Sequence, residues 1–258
     1  MKITLREYIN NPLGKGPTIN ASVKESVRRD YTERWNALMV RENGRVVHEF
    51  YYDKKHNVYY CHIKVPSERV PRFYYDVVFR FFADESVKEA GRSLDLYNVQ
   101  FFSNDPAFVF NYAHAFIDND LFIRDLIPKM SREAVRKVAK EKNPQNLTGY
   151  VKAIYFAYLY MRDHGLFNIA AHAGDKSYNK KDLQREVRDA DTVVENRQKE
   201  GEKLTKKKVK ENNARNKTIN IGYGSNDTTN LSTVKNVKKI SSANGIKKTS
   251  SVKQIGKR

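Results

Sequence analysis

The sequence predicts an α+β fold, in which a small antiparallel β-sheet over residues 45–102 is packed with helices and followed by a long charged helix and a disordered basic tail. Three observations support this prediction. Runs of β-forming residues separated by turn signals fill 45–102. Apolar residues recur at helical spacing before and after that region. All 30 aromatic residues except Tyr223 precede residue 203, so the core must lie before the tail.

The first 20 residues predict an extended N-terminal arm, because two prolines and two glycines fall within 12–17. A helix is predicted from Val23 to Val40. Ser22 is its expected N-cap, with Glu25 three residues later as the capping-box partner. The apolar positions of this helix recur every three or four residues, at Val23, Val27, Tyr31, Trp35 and Leu38.

Four β-segments follow, separated by polar turns. Arg45–Tyr52 and Val58–Val65 predict a hairpin, and Phe73–Phe82 and Leu94–Phe102 predict two further strands. Polar turns between successive strands are typical of an antiparallel sheet. Because the third segment is apolar at nearly every position, we expect it to be buried on both faces.

Helices are predicted for most of the remaining body. Ala107–Phe116 follows an Asp-Pro pair that is typical of a helix start, and a short basic helix runs from Ser131 towards Asn143. Tyr150–His164 is the strongest helical pattern, with Gly165 as its expected C-cap. The predicted organisation is an arm over 1–20, an α+β body over 21–178, a charged helix over 179–207 and a tail over 208–258.

The C-terminal segment holds most of the positive charge. The chain has a net charge of +18, and residues 203–258 contribute 15 basic and two acidic residues but one aromatic residue. Such a segment buries too little apolar surface to offset its ordering entropy, so 208–258 is expected to be disordered. Its charge predicts binding to a polyanion, although a strap that orders on a protein partner and a solvated tail without a partner are alternatives. The candidate phosphate-binding residues are Lys206, Lys207, Lys208, Lys210, Arg215, Lys217, Lys235, Lys238, Lys239, Lys247, Lys248, Lys253, Lys257 and Arg258.

Several protein classes are disfavoured by the composition. No apolar run approaches the roughly 20 residues of a membrane-spanning helix, so no membrane contact is expected. The first 16 residues lack the apolar block of a signal peptide. A single cysteine, Cys61, excludes an internal disulfide and a cysteine-rich zinc site.

No catalytic or metal-binding pattern emerges from the residues. The six histidines show no His-Glu-x-x-His motif, so we expect no metal, no cofactor and no enzymatic activity. Asp76 and Asp84 could serve as carboxylates of a metal-dependent nuclease, but no second carboxylate shares their strand. Cys61 and His62 are adjacent in a strand and therefore point to opposite faces, which disfavours a nucleophile pair. The aromatic strands lack the glycine-spaced motif of an RNA-binding sheet, which favours core packing for these rings.

The body contains several distinctive strings: NNPLGKG at 10–16, FYYDVV at 73–78, FFSNDPAFVF at 101–110, NDLFI at 119–123, KNPQN at 142–146 and GYVKAIYFAYLY at 149–160. Together they resemble a group of uncharacterised structural (virion) proteins of tailed bacteriophages. The resemblance covers roughly residues 1–200 and leaves out the basic tail. It implies a phage origin and a place in the virion, assembled in the host cytoplasm, and it implies no catalytic residue.

The leading hypothesis is a non-enzymatic structural component of a tailed-phage particle, in the head, connector or tail. Its terminal arms would contact other virion proteins, copies of itself or packaged DNA. A phage protein that binds DNA non-specifically in the host cell is the first alternative. A metal-dependent nuclease is the second.

Overall fold

The computed structural model describes residues 2–12, 20–83, 93–136, 143, 145–172 and 175–221, with the backbone alone for 171 and for 214–221. The chain divides into two units, one up to Lys210 and one from Glu211 onward. The fold is α+β, as the sequence predicts. In the described residues the strands are β1 Val47–Asp53, β2 Val58–Pro66, β3 Tyr74–Phe82, β4 Asn98–Ser103 and β5 Lys176–Ser177. The α-helices there are α1 Leu5–Asn10, α2 Ala21–Arg41, α3 Pro106–Asn111, α4 Ala113–Asp118, α5 Arg132–Arg136, α6 Lys152–Asp163, α7 Lys180–Glu186 and α8 Ala190–Ile221.

The sheet has the strand order β4-β3-β2-β1-β5. Strands β1 to β4 pair antiparallel, as expected for 45–102. The short β5 adds a parallel pairing with β1, through Tyr51 opposite Lys176 and Tyr52 opposite Ser177. The sheet is therefore mixed, and its antiparallel part is the part that the sequence predicted. Strand β4 begins at Asn98 because Leu94–Leu96 form a 3₁₀ turn.

Both faces of the sheet are covered. On one face, Phe101 of β4 packs against Tyr8 of α1 with ring centroids 4.6 Å apart, and α6 lies over β2, β3 and β4. On the other face, Tyr60 of β2 stacks on Tyr178 at 4.1 Å. In β3 the consecutive residues Val77, Val78 and Phe79 are all fully buried. The predicted burial of this strand on both faces is confirmed.

The described part of the N-terminal segment is not the extended arm that the sequence predicted. Thr4 and Glu7 form a reciprocal capping box at the start of α1. Leu5, Tyr8 and Ile9 are buried, and the Tyr8 hydroxyl donates to the Gly149 carbonyl at 2.7 Å. Apolar burial therefore fixes this segment on the body. Residues 13–19 lie outside the described residues.

Two helix boundaries near the core also differ from the predictions. The side chain of Asn20, and not that of Ser22, caps α2 by accepting from the Ser22 backbone N–H at 2.9 Å. The helix expected over 107–116 is divided at Tyr112 into α3 and α4. The helix predicted at Tyr150–His164 is present as α6, and the short basic helix begins as α5, with 137–142 outside the described residues.

The C-terminal helix begins and ends later in the chain than predicted, and it is longer. The expected helix over 179–207 is two helices, because the backbone between α7 and α8 leaves the helical conformation at Val187 and the side chain of that residue is buried. Helix α8 continues to Ile221, so residues 208–221 are helical where a disordered tail was expected. Residues 222–258 lie outside the described residues. In the described chain, no helix is long and apolar enough to span a membrane.

Candidate functional site

The first part of α8 is anchored to the body by apolar contacts. Ala190 is fully buried, and Val193 packs with Val70, Phe73 and Tyr75 in a small cluster. Leu204, three turns further along α8, adds to the same cluster. One side of α8 therefore faces the body over most of its first 15 residues, which fixes the direction in which its other side points.

A buried polar group fastens the chain just before α8, and we call it the Asp76 clasp. Asp76 of β3 is fully buried, and its two carboxylate oxygens accept hydrogen bonds from His62 Nε2 at 3.0 Å, Asn104 Nδ2 at 2.7 Å and Arg188 Nε at 2.8 Å. Arg188 also donates to the Tyr74 carbonyl. The clasp thus connects the α7–α8 junction to the interior of the sheet.

The charge of Asp76 is stabilised by these donors. Burial alone would raise the pKa of the Asp76 carboxyl, but the hydrogen bonds and charge interactions with His62 and Arg188 outweigh burial and lower that pKa to about 2. Both oxygens are engaged, and no part of the side chain is exposed. The geometry therefore assigns Asp76 a structural role, while Asp84, the other nuclease candidate, lies outside the described residues.

A stripe of lysines occupies the side of α8 that faces away from the body. We call Lys199, Lys203, Lys206 and Lys210 the lysine stripe; all four are exposed. Their spacing of four, three and four residues places them on one helix face. At about 100° per residue, the mean direction of this face is about 120° from that of Val193 and Leu204. The stripe spans roughly 16 Å along the helix axis.

The lysines of this segment are weakly paired. Lys199 lies 3.7 Å from Glu195, and Lys203 lies 2.7 Å from Glu200, on the same exposed helix surface, where such pairs contribute little. Within the described chain, Lys206, Lys208 and Lys210 have no acidic partner. Their positive charge is therefore available to an external anion.

Some of the predicted tail residues lie on α8, and the others lie outside the described residues. Lys206, Lys207, Lys208 and Lys210 are exposed on α8, and Arg215 and Lys217 lie in its helical continuation. This helical structure was not predicted from the sequence, although neither glycine nor proline occurs between residue 202 and residue 221. The following candidates lie outside the described residues: Lys235, Lys238, Lys239, Lys247, Lys248, Lys253, Lys257 and Arg258.

The remaining chemical candidates occupy packing positions. Cys61 is fully buried, and burial raises the pKa of its thiol well above the usual range. His62 belongs to the Asp76 clasp, and His172 stacks on Phe50 with ring centroids 3.7 Å apart. No group of three or more His, Cys, Asp or Glu side chains that could hold a metal ion occurs among the described residues.

A polar cavity of about 360 Å³ lies where the end of β2, the start of α3, the first turn of α6 and α8 meet. Its charged lining includes Glu68, Asp105, Lys152 and Arg197. Burial raises the pKa of the Asp105 carboxyl, with Lys152 and Arg197 acting in the opposite direction. From the sequence, Asp105 was predicted only as the start of a helix, because its neighbours in the cavity are distant in the chain.

Comparisons of the chain with protein-family models, with curated proteins and with solved structures find no match.

Proposed function

We propose that this protein is a non-enzymatic structural component of a tailed-bacteriophage particle, and that α8 and the basic segment after it contact packaged DNA. The observation that carries the DNA contact is the lysine stripe, which is exposed on α8 about 120° around the helix from the apolar side that packs on the body. The phage assignment rests on the resemblance of the body strings to virion proteins.

The arrangement favours the phosphate backbone as the ligand. Lysine side chains act as point charges, and the only aromatic residue after residue 202 is Tyr223, so bases have few rings on which to stack. Contacts of this kind position a protein on nucleic acid without reading its sequence. The anchored first part of α8 holds its lysines in place before binding, so less conformational entropy is lost there than in a disordered tail.

Two alternatives have different support. A phage protein that binds DNA in the host cell would use the same lysine stripe, and its presence at fixed stoichiometry in purified particles separates the two roles. Mass spectrometry of purified particles measures this directly. A metal-dependent nuclease is less well supported, since Asp76 is buried and its oxygens accept from three side chains.

The DNA contact is tested with a charge-matched pair of variants. One carries Lys203→Gln, Lys206→Gln and Lys210→Gln on α8. The control carries three substitutions at exposed lysines elsewhere, Lys54→Gln, Lys55→Gln and Lys181→Gln. Fluorescence anisotropy measures binding of the full chain to two unrelated duplexes at several salt concentrations.

The stripe variant should lose affinity for both duplexes equally, and the slope of log affinity against log salt should fall by about 2.7, for three phosphate contacts at about 0.9 each. The control should keep the wild-type slope. Equal slopes for the stripe variant and the wild type would contradict the role of α8. A variant that ends at Ile221 then measures how much of the slope belongs to residues 222–258.

A further inference from the structure

The polar cavity at the β2–α3–α6–α8 junction has walls that are held in place. Glu68, in the loop after β2, accepts from the Arg34 guanidinium at 2.7 and 2.8 Å and is ion-paired with Lys152. Arg41 of α2 donates to the backbone carbonyls of Ser67 and Glu68. The loop that forms one wall is therefore tied to α2 and α6, and the cavity is preformed.

Two groups of opposite charge in this cavity each have one buried atom without a hydrogen-bond partner among the described residues. Asp105 is 7% exposed, and its Oδ2 atom has no hydrogen-bond partner among the described residues. The buried Nε of Arg197, on α8, also has no hydrogen-bond partner among the described residues. Buried polar atoms are nearly always paired, so two unpaired atoms of opposite charge around one cavity indicate groups that a ligand satisfies.

The rest of the lining restricts the ligand further. Glu68 is ion-paired with both Arg34 and Lys152, and Arg69 is exposed, which leaves Asp105 and Arg197 as the charged lining groups with a buried unpaired atom. The lining also includes apolar surface from Pro106, Ala153 and Phe156. The volume of about 360 Å³ is at the lower end of the range for small-molecule sites.

We propose that this cavity binds a small zwitterion, with its ammonium group at Asp105, its carboxylate at Arg197 and a short alkyl chain along the apolar wall. The chemical class is that of an ω-amino acid or of lysine. A carboxylate oxygen that lacks a donor suits an ammonium group, and a guanidinium N–H suits a carboxylate acceptor. The apolar wall accommodates the methylene groups that separate the two charges.

The probe is 6-aminohexanoate, compared with hexanoate and hexylammonium, which keep the chain and carry one charge each. Isothermal titration calorimetry with the full-length protein measures the three affinities, and 4-aminobutyrate tests a shorter separation. At least one of the two amino acids, 6-aminohexanoate or 4-aminobutyrate, should bind at least tenfold more tightly than hexanoate and hexylammonium. Equal affinity for hexanoate would overturn the proposal, and so would the absence of binding by either amino acid.

Variants then assign the two poles. Asp105→Asn and Arg197→Gln should each weaken binding of the zwitterion at least tenfold, whereas Glu195→Gln, an exposed change on the same helix, should leave it unchanged. Arg197 is only half-buried, so its variant tests the site even where Asp105→Asn lowers stability. Unchanged affinity in the Arg197 variant would contradict the assignment of the carboxylate pole.

Discussion

Replacement of Asp76 by asparagine tests the structural role of the Asp76 clasp. The substitution keeps the side-chain volume and removes the negative charge that accepts from His62, Asn104 and Arg188. An asparagine has one acceptor oxygen, and its NH₂ group would face hydrogen-bond donors. The variant should therefore lose stability while its fold is retained.

The size of the effect follows from the lowered pKa. The Asp76 carboxyl has a pKa of about 2 in the folded protein, compared with roughly 3.9 in an unfolded chain. A difference of about two units corresponds to about 2.5 kcal/mol of stability. Because the folded pKa is the lower one, this contribution is complete above the unfolded pKa. It is lost as the pH falls from about 5 to about 2.

Urea unfolding of the full-length protein between pH 7 and pH 2.5 measures the prediction. Asp76→Asn should lower the free energy of unfolding by about 2–3 kcal/mol at pH 7, with the difference shrinking towards pH 2.5. The control Asp163→Asn removes an exposed carboxylate paired with its neighbour Arg162 and should change stability by less than about 0.5 kcal/mol. A small effect of Asp76→Asn, or one that does not vary with pH, would refute the reasoning.

Three further predictions concern the core. Leu5→Ala should cost about 2–5 kcal/mol in the free energy of unfolding because Leu5 is fully buried, and a cost near zero would show that this segment does not pack on the body. Tyr8→Phe should lower the free energy of unfolding by about 1–2 kcal/mol, since it leaves the Gly149 carbonyl without its donor. An unchanged stability in the same unfolding assay would contradict this prediction. Burial and a raised thiol pKa should make Cys61 unreactive towards a thiol reagent in the native protein and reactive in urea; fast modification of the native protein would contradict its burial.

The antiparallel part of the sheet was predictable because its information is local. The runs of β-forming residues in β1, β2 and β3 are properties of single segments, and so is the periodicity of α6. Helix α1 was not predicted although the Thr4–Glu7 capping box is visible in the sequence, because the prolines and glycines that follow it are typical of turns. The break between α7 and α8 contains neither glycine nor proline, so no local residue marks it.

The candidate sites depended on contacts between distant residues. Asp76 accepts a hydrogen bond from Arg188, which lies 112 positions later in the chain. This pairing gives a structural role to a carboxylate that the sequence alone offered as a catalytic candidate. Asp105 immediately precedes α3 and Arg197 lies in α8, and only the tertiary fold brings the two residues to one cavity. The lysine stripe was recognisable as charge but not as a face, because its direction depends on how Val193 and Leu204 pack.

The Asp76 clasp also determines where a mechanical load on α8 enters the body. Arg188 transmits tension from the start of α8 to Asp76 and to the Tyr74 carbonyl, both on β3. Strand β3 is hydrogen-bonded to β2 on one side and to β4 on the other. A pull on α8 is therefore carried in part by an interior strand that two neighbours hold by hydrogen bonds, and not by a strand at the edge of the sheet.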